Sequence, residues 1–507
     1  MSDRIIFGAE RLDEARLAEG VGRTAGALEA EGIGAGDTVA LLFRNDVPFA
    51  LLSLAAARLG AAILPINWHF SADEVAYVLA DSSAKLLIGH ADLLLPLEGI
   101  APDTRRYAVA TPDALIEAYR IDRRRCVMAE DRDWSARVAS APIWTGAPRP
   151  SPLTMLYTSG TTGRPKGVRR PPLDAEAQKR VAVSMAYVFG SRSGMRTLAA
   201  APLYHSAPNA VALSTLRTGG TLIIQPRFDA EQFLRLVAEH KATHAYMVPT
   251  MFVRLLRLPQ AVRDRYDVGS LEWIVHGAAP CPPDVKRAMI EWLGDRIYDY
   301  YGATELGPIT RVSAAEWLNK PGTLGRPVPG AEIRIYSPDG RRLGAGEPGE
   351  IYARNVNYPD FTYHKQDERR SEVGRDGLVT CGDVGYLDED GFLFLSDRRR
   401  DMIISGGVNI YPAEIEAALA LMPGVADAAV FGIPDPEFGE SVCAYIQPLQ
   451  GSGVNDDAVR AFLRERLAGY KVPRRIEMTD SLPREESGKI MKRKLRDPYW
   501  ANTARSI

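Results

Sequence analysis

Apolar residues recur every three to four positions over residues 17–31, and a Gly-rich turn then leads into an unbroken apolar run at 39–43. An alanine-rich helical stretch follows. The same alternation returns at 85–88, at Thr221–Ile224 before a helix over Ala230–His240, and at 273–275 before a helix over Pro283–Leu293. Short continuous apolar runs separated by amphipathic helices predict layered α/β subdomains whose strands are covered on both faces. Between 325 and 395 the texture changes to short alternating segments broken by Pro-Asp-Gly, Glu-Pro-Gly-Glu and Asp-Glu-Asp-Gly turns, which predicts a small antiparallel β region. Past Arg398-Arg399-Arg400-Asp401 a new βαβ rhythm predicts a helix over 412–422, strands over 425–431 and 441–447, and a helix over 454–468. The chain therefore reads as α/β overall, with a large domain at 1–399 and a small mobile α+β domain at 400–507, hinged at Arg400.

Length agrees with this division, since 507 residues exceed what one hydrophobic core accommodates and 46% of them are apolar. The formal charge of -2 is spread over interspersed acids and bases, which leaves no field to draw the chain to nucleic acid or to an anionic membrane. Binding must come from local sites. Cys126, Cys281, Cys381 and Cys443 stand singly, without metal or disulfide spacing, as in a protein of the reducing cytoplasm. The most apolar stretch, 49–66, is interrupted by Arg58, Gly60 and Pro65, so neither a signal peptide nor a transmembrane segment is expected.

Candidate chemistry begins after the apolar run 153–157, at Thr158-Ser159-Gly160-Thr161-Thr162-Gly163-Arg164-Pro165-Lys166-Gly167. Glycines let backbone amides turn toward an anion, hydroxyls donate to phosphate oxygens, and Lys166 balances charge. The stretch reads as a polyphosphate cradle. It is not a Walker loop, because Pro165 precedes the lysine and Gly167 stands where Ser or Thr would be.

This loop resembles the signature loop of the adenylate-forming superfamily, which comprises acyl-CoA synthetases, peptide-synthetase adenylation domains and luciferases. The resemblance continues in order through His276-Gly277-Ala278-Ala279-Pro280, Tyr300-Tyr301-Gly302-Ala303-Thr304-Glu305, Cys381-Gly382-Asp383, Arg398 to Asp401, Ser405-Gly406-Gly407 and the segment ending in Gly488-Lys489. In texture it is nearest to bacterial fatty-acid-type acyl-CoA synthetases. It implies an ATP-dependent acid:CoA ligase with ATP, Mg²⁺ and coenzyme A as its reactants and cofactor, a small-molecule carboxylic acid as substrate, and a monomer or homodimer as the working unit. An acyl carrier protein is the alternative acceptor.

The resemblance also implies roles. Thr158 to Gly163 and Lys166 would hold phosphates, with Thr161 among the catalytic groups. Gly277, Ala278, Ala279 and Pro280 would lie along the adenine, beside Tyr300, Tyr301, Gly302, Ala303 and Thr304. Asp383 and Arg398 would approach the ribose. Glu305 would hold Mg²⁺ and act in catalysis. The chain departs from the family pattern at Asp397, where glycine is usual, and at Cys381, where threonine is usual. Lys489 would enter the site for adenylation, bridging the attacking carboxylate and the α-phosphate. For thioester formation the small domain would rotate, and Gly406 and Gly407 would line the thiol's path. His205 stands where amino-acid-activating relatives carry an aspartate, so an ammonium substrate is disfavoured and His205 is expected near the acid's carboxylate. An apolar acyl pocket is expected from 246–251.

Overall fold

In the computed structural model the described residues are 3–101, 103–126, 130–158, 165–279, 281–398, 401–405, 408–435, 438–485 and 490–501. The strands Ala62–Pro65, Thr38–Leu42, Leu86–His90 and Arg105–Val109 lie in that order in a wholly parallel sheet. Its central strands are buried along nearly their whole length, because Val47–Leu59 and Ala72–Ser82 supply crossover helices and Glu14–Ala30 packs against the first of them. Local chemistry sets the helix ends. Asp13 accepts from the Arg16 amide at 2.9 Å, Ser71 and Glu74 form a reciprocal cap, and Gly60 ends its helix at φ 75°.

A 14-stranded sheet forms the rest of the large domain. Ile5–Phe7, Thr221–Ile224, Arg196–Ala199, His244–Met247, Trp273–His276 and Ile297–Ala303 pair in parallel. From Ile297–Ala303 onward the pairing turns antiparallel, through Gly307–Ser313 and Thr323–Pro327 to Leu393–Arg398, Leu378–Leu387, Gly349–Asn355 and Ala331–Tyr336. The antiparallel region expected at 325–395 is thus larger than the turn pattern indicated and is continuous with the parallel sheet. A third, three-stranded antiparallel sheet joins Thr362–Tyr363, Lys166–Arg169 and Leu156–Thr158.

Beyond residue 400 the chain builds its own core from Ile403, Ile415, Leu419, Val430, Val442, Ile446, Val459 and Leu463. The βαβ rhythm is realised once there: Gly439–Pro448, the helix Asp456–Arg464 and the parallel strand Arg475–Met478. Val425–Asp435 instead pairs antiparallel with Gly439–Pro448 as a long hairpin, since three residues between the strands leave no room for a crossover. No helix among the described residues is long and apolar enough to cross a membrane.

Candidate active site

The ends of the phosphate loop are fixed by the ladder that puts Thr158 opposite Lys166. Ser159, Gly160, Thr161, Thr162 and Gly163 lie outside the described residues. The Thr158 hydroxyl donates to Glu305 Oε1 at 3.1 Å, and the Tyr363 hydroxyl donates to the same oxygen at 3.3 Å. Thr158 and Tyr363, both on the third sheet, reach Glu305 across 147 and 58 positions of sequence. Lys166 Nζ stands 5.2 Å from the centre of the Tyr363 ring. Burial, and then the charge of Arg369, lowers the Lys166 pKa, against the opposing fields of Glu305 and Glu372. Burial and then the neighbouring Glu305 charge raise the Tyr363 phenol, so it remains a donor.

Glu305 belongs to the turn joining Ile297–Ala303 to Gly307–Ser313. A side chain at Gly302 would meet the Gly307 carbonyl oxygen at 2.4 Å, and Gly307 itself has φ 69°. The turn is tight, with Ala303, Thr304 and Glu305 at its tip. Arg170, which leaves the phosphate hairpin, donates to the Thr304 and Glu305 carbonyls at 2.7 and 2.8 Å.

Gly277, Ala278 and Ala279, expected along the adenine, leave the carboxyl end of Trp273–His276, and Pro280 lies outside the described residues. A Cβ at Gly277 would stand 2.6 Å from the Tyr300 ring, and Ala278 is exposed at φ 67°. A non-glycine residue there is strained, as at many ligand-contacting positions. Successive strand residues face opposite ways. Tyr300 therefore packs against the Gly277 loop and meets Phe189 edge-on at 5.0 Å. Tyr301, only 8% exposed, turns its hydroxyl to Asp383 Oδ2 at 2.7 Å. Asp383 pairs in register with Arg398, whose side chain, like that of Asp397, lies outside the described residues. A carboxylate fixed by a phenol on one oxygen keeps acceptor capacity on the other for vicinal hydroxyls.

His205 stands half-buried at the N-terminus of the helix Ser206–Arg217, its ring 4.3 Å from that of Tyr204. The loop before it is held by Asn45, which accepts from the Leu203 amide at 2.8 Å and donates to the Ala201 carbonyl at 3.0 Å. Tyr246, Met247, Val248 and Met251, expected at an acyl pocket, are buried in the hydrophobic core. Gly406, Gly407, Lys489 and the hinge residue Arg400 lie outside the described residues. The segment bearing Lys489 is pinched at its base by a bridge between Arg484 and Ile490 and by the Met491 amide donating to Pro483 at 2.7 Å. Sequence reasoning missed Arg170 and Tyr363. Two arginines before two prolines read as an exposed loop, and a lone tyrosine carries no signal.

A model of the AMP-binding enzyme family matches residues 2–358, and one of the AMP-binding enzyme C-terminal domain matches 414–489. The chain belongs to the AMP-binding enzyme family, the adenylate-forming superfamily. It is 35% identical to feruloyl-CoA synthases of Amycolatopsis sp and Streptomyces sp, over 97% of this chain and 95% of theirs. It is 32% identical to the fatty acid–[acyl-carrier-protein] ligase ScoC of Streptomyces coeruleorubidus, over 96% of this chain and 91% of that one. Among solved structures, ATP-bound MatB from Rhodopseudomonas palustris superposes with a TM-score of 0.83 at 28% identity, covering 98% of this chain and 96% of that one. Within this adenylate-forming fold, Thr158 and Tyr363 meet at Glu305, and Tyr301 meets Asp383.

Proposed function

We propose that the chain is an ATP-dependent carboxylic acid:CoA ligase that forms an acyl-adenylate and pyrophosphate, then acyl-CoA and AMP. The observation that carries this reading is the meeting of the phosphate hairpin with the Glu305 carboxylate at Thr158. Glu305 fits Mg²⁺ in chemical kind. It offers a hard carboxylate oxygen, and substrate phosphates would supply further oxygen ligands. Bound there, Mg²⁺ would supply charge neutralisation for the departing pyrophosphate.

The protein's own groups do the rest. Backbone amides and hydroxyls of the 158–163 loop, with Lys166, cradle the triphosphate. Asp383 receives the ribose hydroxyls, with Arg398 beside it, and Gly277 to Pro280 with Tyr300 flank the adenine. Lys489 draws the acid's carboxylate oxygen and the α-phosphate together, so that the new P–O bond forms as the bond to pyrophosphate breaks. The small domain then turns about Arg400 and presents Ser405, Gly406 and Gly407. Sulfur of the thiol attacks the acyl carbon, AMP leaves with the bonding pair, and the thiol proton is released.

A cavity of about 550 Å³ opens at the carboxyl ends of Thr38–Leu42 and Leu86–His90. Arg44, Arg120 and Arg125 line it with Asp92, Asp122, Trp68 and Tyr119, and Arg44 is already paired with Asp92. Arg44 lies 4.8 Å from each of these two rings, and Asn45 links its loop to the one before His205. The acid is hydrophobic, either aryl or fatty, in keeping with the relatives' names, and a carrier protein is the alternative acceptor. The free cysteines suit a cytoplasmic setting. Incubation with ATP, Mg²⁺, CoA and an aryl and fatty acid panel is expected to yield AMP and an acyl-CoA by mass spectrometry. Formation of ADP would overturn the mechanism, and acyl transfer only to a carrier protein would replace CoA as acceptor.

A further inference from the structure

Arg170 is a buried charge that the reaction as described does not use. It directly follows the strand Lys166–Arg169 and is 6% exposed. Burying a guanidinium is costly, and burial lowers its pKa. Its hydrogen-bonding partners are backbone carbonyls. Nη2 donates to Thr304 and Glu305, Nη1 donates to Pro359, and the guanidinium lies 4.7 Å from the centre of the Tyr358 ring and 5.8 Å from that of Phe361.

These contacts join three segments: the phosphate hairpin, the turn bearing Glu305, and the stretch 358–363 whose Tyr363 holds Glu305 Oε1. Only a planar fork of donors reaches several carbonyls at once while stacking on a ring; a lysine ammonium supplies the charge without the fork. We propose that Arg170 is a positioning residue, which fixes the backbone of Thr304 and Glu305 so that the Glu305 carboxylate is aligned for the metal–triphosphate complex. This rests on the reading of Glu305 as the Mg²⁺ ligand.

The test is binding of Mn²⁺, read by the EPR signal of free ion, in the presence of an α,β-methylene analogue of ATP. Supporting groups around a metal ligand commonly contribute about 10- to 100-fold in metal affinity. Arg170→Lys and Arg170→Met are expected to weaken Mn²⁺ binding by roughly tenfold or more, while affinity for the metal-free analogue changes less than about twofold. The Mg²⁺ concentration giving half-maximal pyrophosphate exchange should rise by a similar factor. Should the Arg170 variants not fold, Tyr358→Leu, which keeps the guanidinium but removes its stacking partner, is expected to move Mn²⁺ affinity the same way. Unchanged Mn²⁺ affinity in these variants, alongside a loss in Glu305→Gln, overturns the role of Arg170 alone. If Glu305→Gln also binds Mn²⁺ normally, the metal reading falls and this inference with it.

Discussion

His276 ends the strand that delivers the adenine loop, is 0% exposed, and has no hydrogen-bond partner for either ring nitrogen among the described residues. The carboxylate it faces is already engaged. Asp299 Oδ2 accepts from Lys286 Nζ at 2.8 Å, while His276 Nε2 stays 3.5 Å away. Burial, partly offset by Asp299 and reinforced by Lys286, depresses the His276 pKa from 6.5 to about 4. The unfolded chain then binds a proton below about pH 6.5 that the folded chain refuses until about pH 4, so stability present above that window is lost as pH falls through it. The contribution is of order 3 kcal/mol across the window. In chemical denaturation followed from pH 7 to pH 4, His276→Leu is expected to show a shallower fall in stability than the parent protein. Equal slopes would mean that the imidazole takes up its proton in the folded protein as it does in the unfolded chain.

At the scale of elements, the adenine loop rests on a missing side chain. A Cβ at Gly277 would stand 2.6 Å from Tyr300 Cε1, and the ring is held by Phe189 and by the Tyr246 hydroxyl. Gly277→Ala is therefore expected to cost about 1–3 kcal/mol and to raise the KM for ATP. Gly34→Ala, whose new methyl would meet only Arg149 at 3.6 Å, should change neither. Calorimetry and ATP titration of the pair provide the check. The strand Trp273–His276 that leads into Gly277 was legible in the sequence, as were the strand Thr221–Ile224 and the helices Ala230–His240 and Pro283–Leu293, because period and end signals coincide there. The strands flanking the phosphate loop were not. They run three and four residues, and the second, with its lysine and glycine, pairs with a two-residue strand nearly 200 positions later. Motif order pointed to Glu305 and Asp383, but the groups that orient them come from tertiary contacts: Arg170 reaches carbonyls 134, 135 and 189 positions away.

For the whole molecule, the proposed mechanism asks two chemical steps to share one nucleotide site, with the small domain alternating over it. The small domain closes its own core. At the base of the Lys489 segment, Arg484 pairs with Asp427 of its own domain, and its pKa is pushed down by burial and then by Arg254 and Arg257 of the large domain. In the proposed mechanism Lys489 serves only the step in which two anions meet, because the acyl-adenylate carbonyl and the thiol carry no such repulsion. Lys489→Ala is therefore expected to lower pyrophosphate exchange by about 10²- to 10³-fold, the usual effect of losing one charge-stabilising group. It should still convert supplied acyl-AMP and CoA to thioester at close to the parent rate. Parallel loss of both half-reactions would show that the lysine stays in place throughout, and alternation about Arg400 would have to be abandoned in favour of a single fixed arrangement.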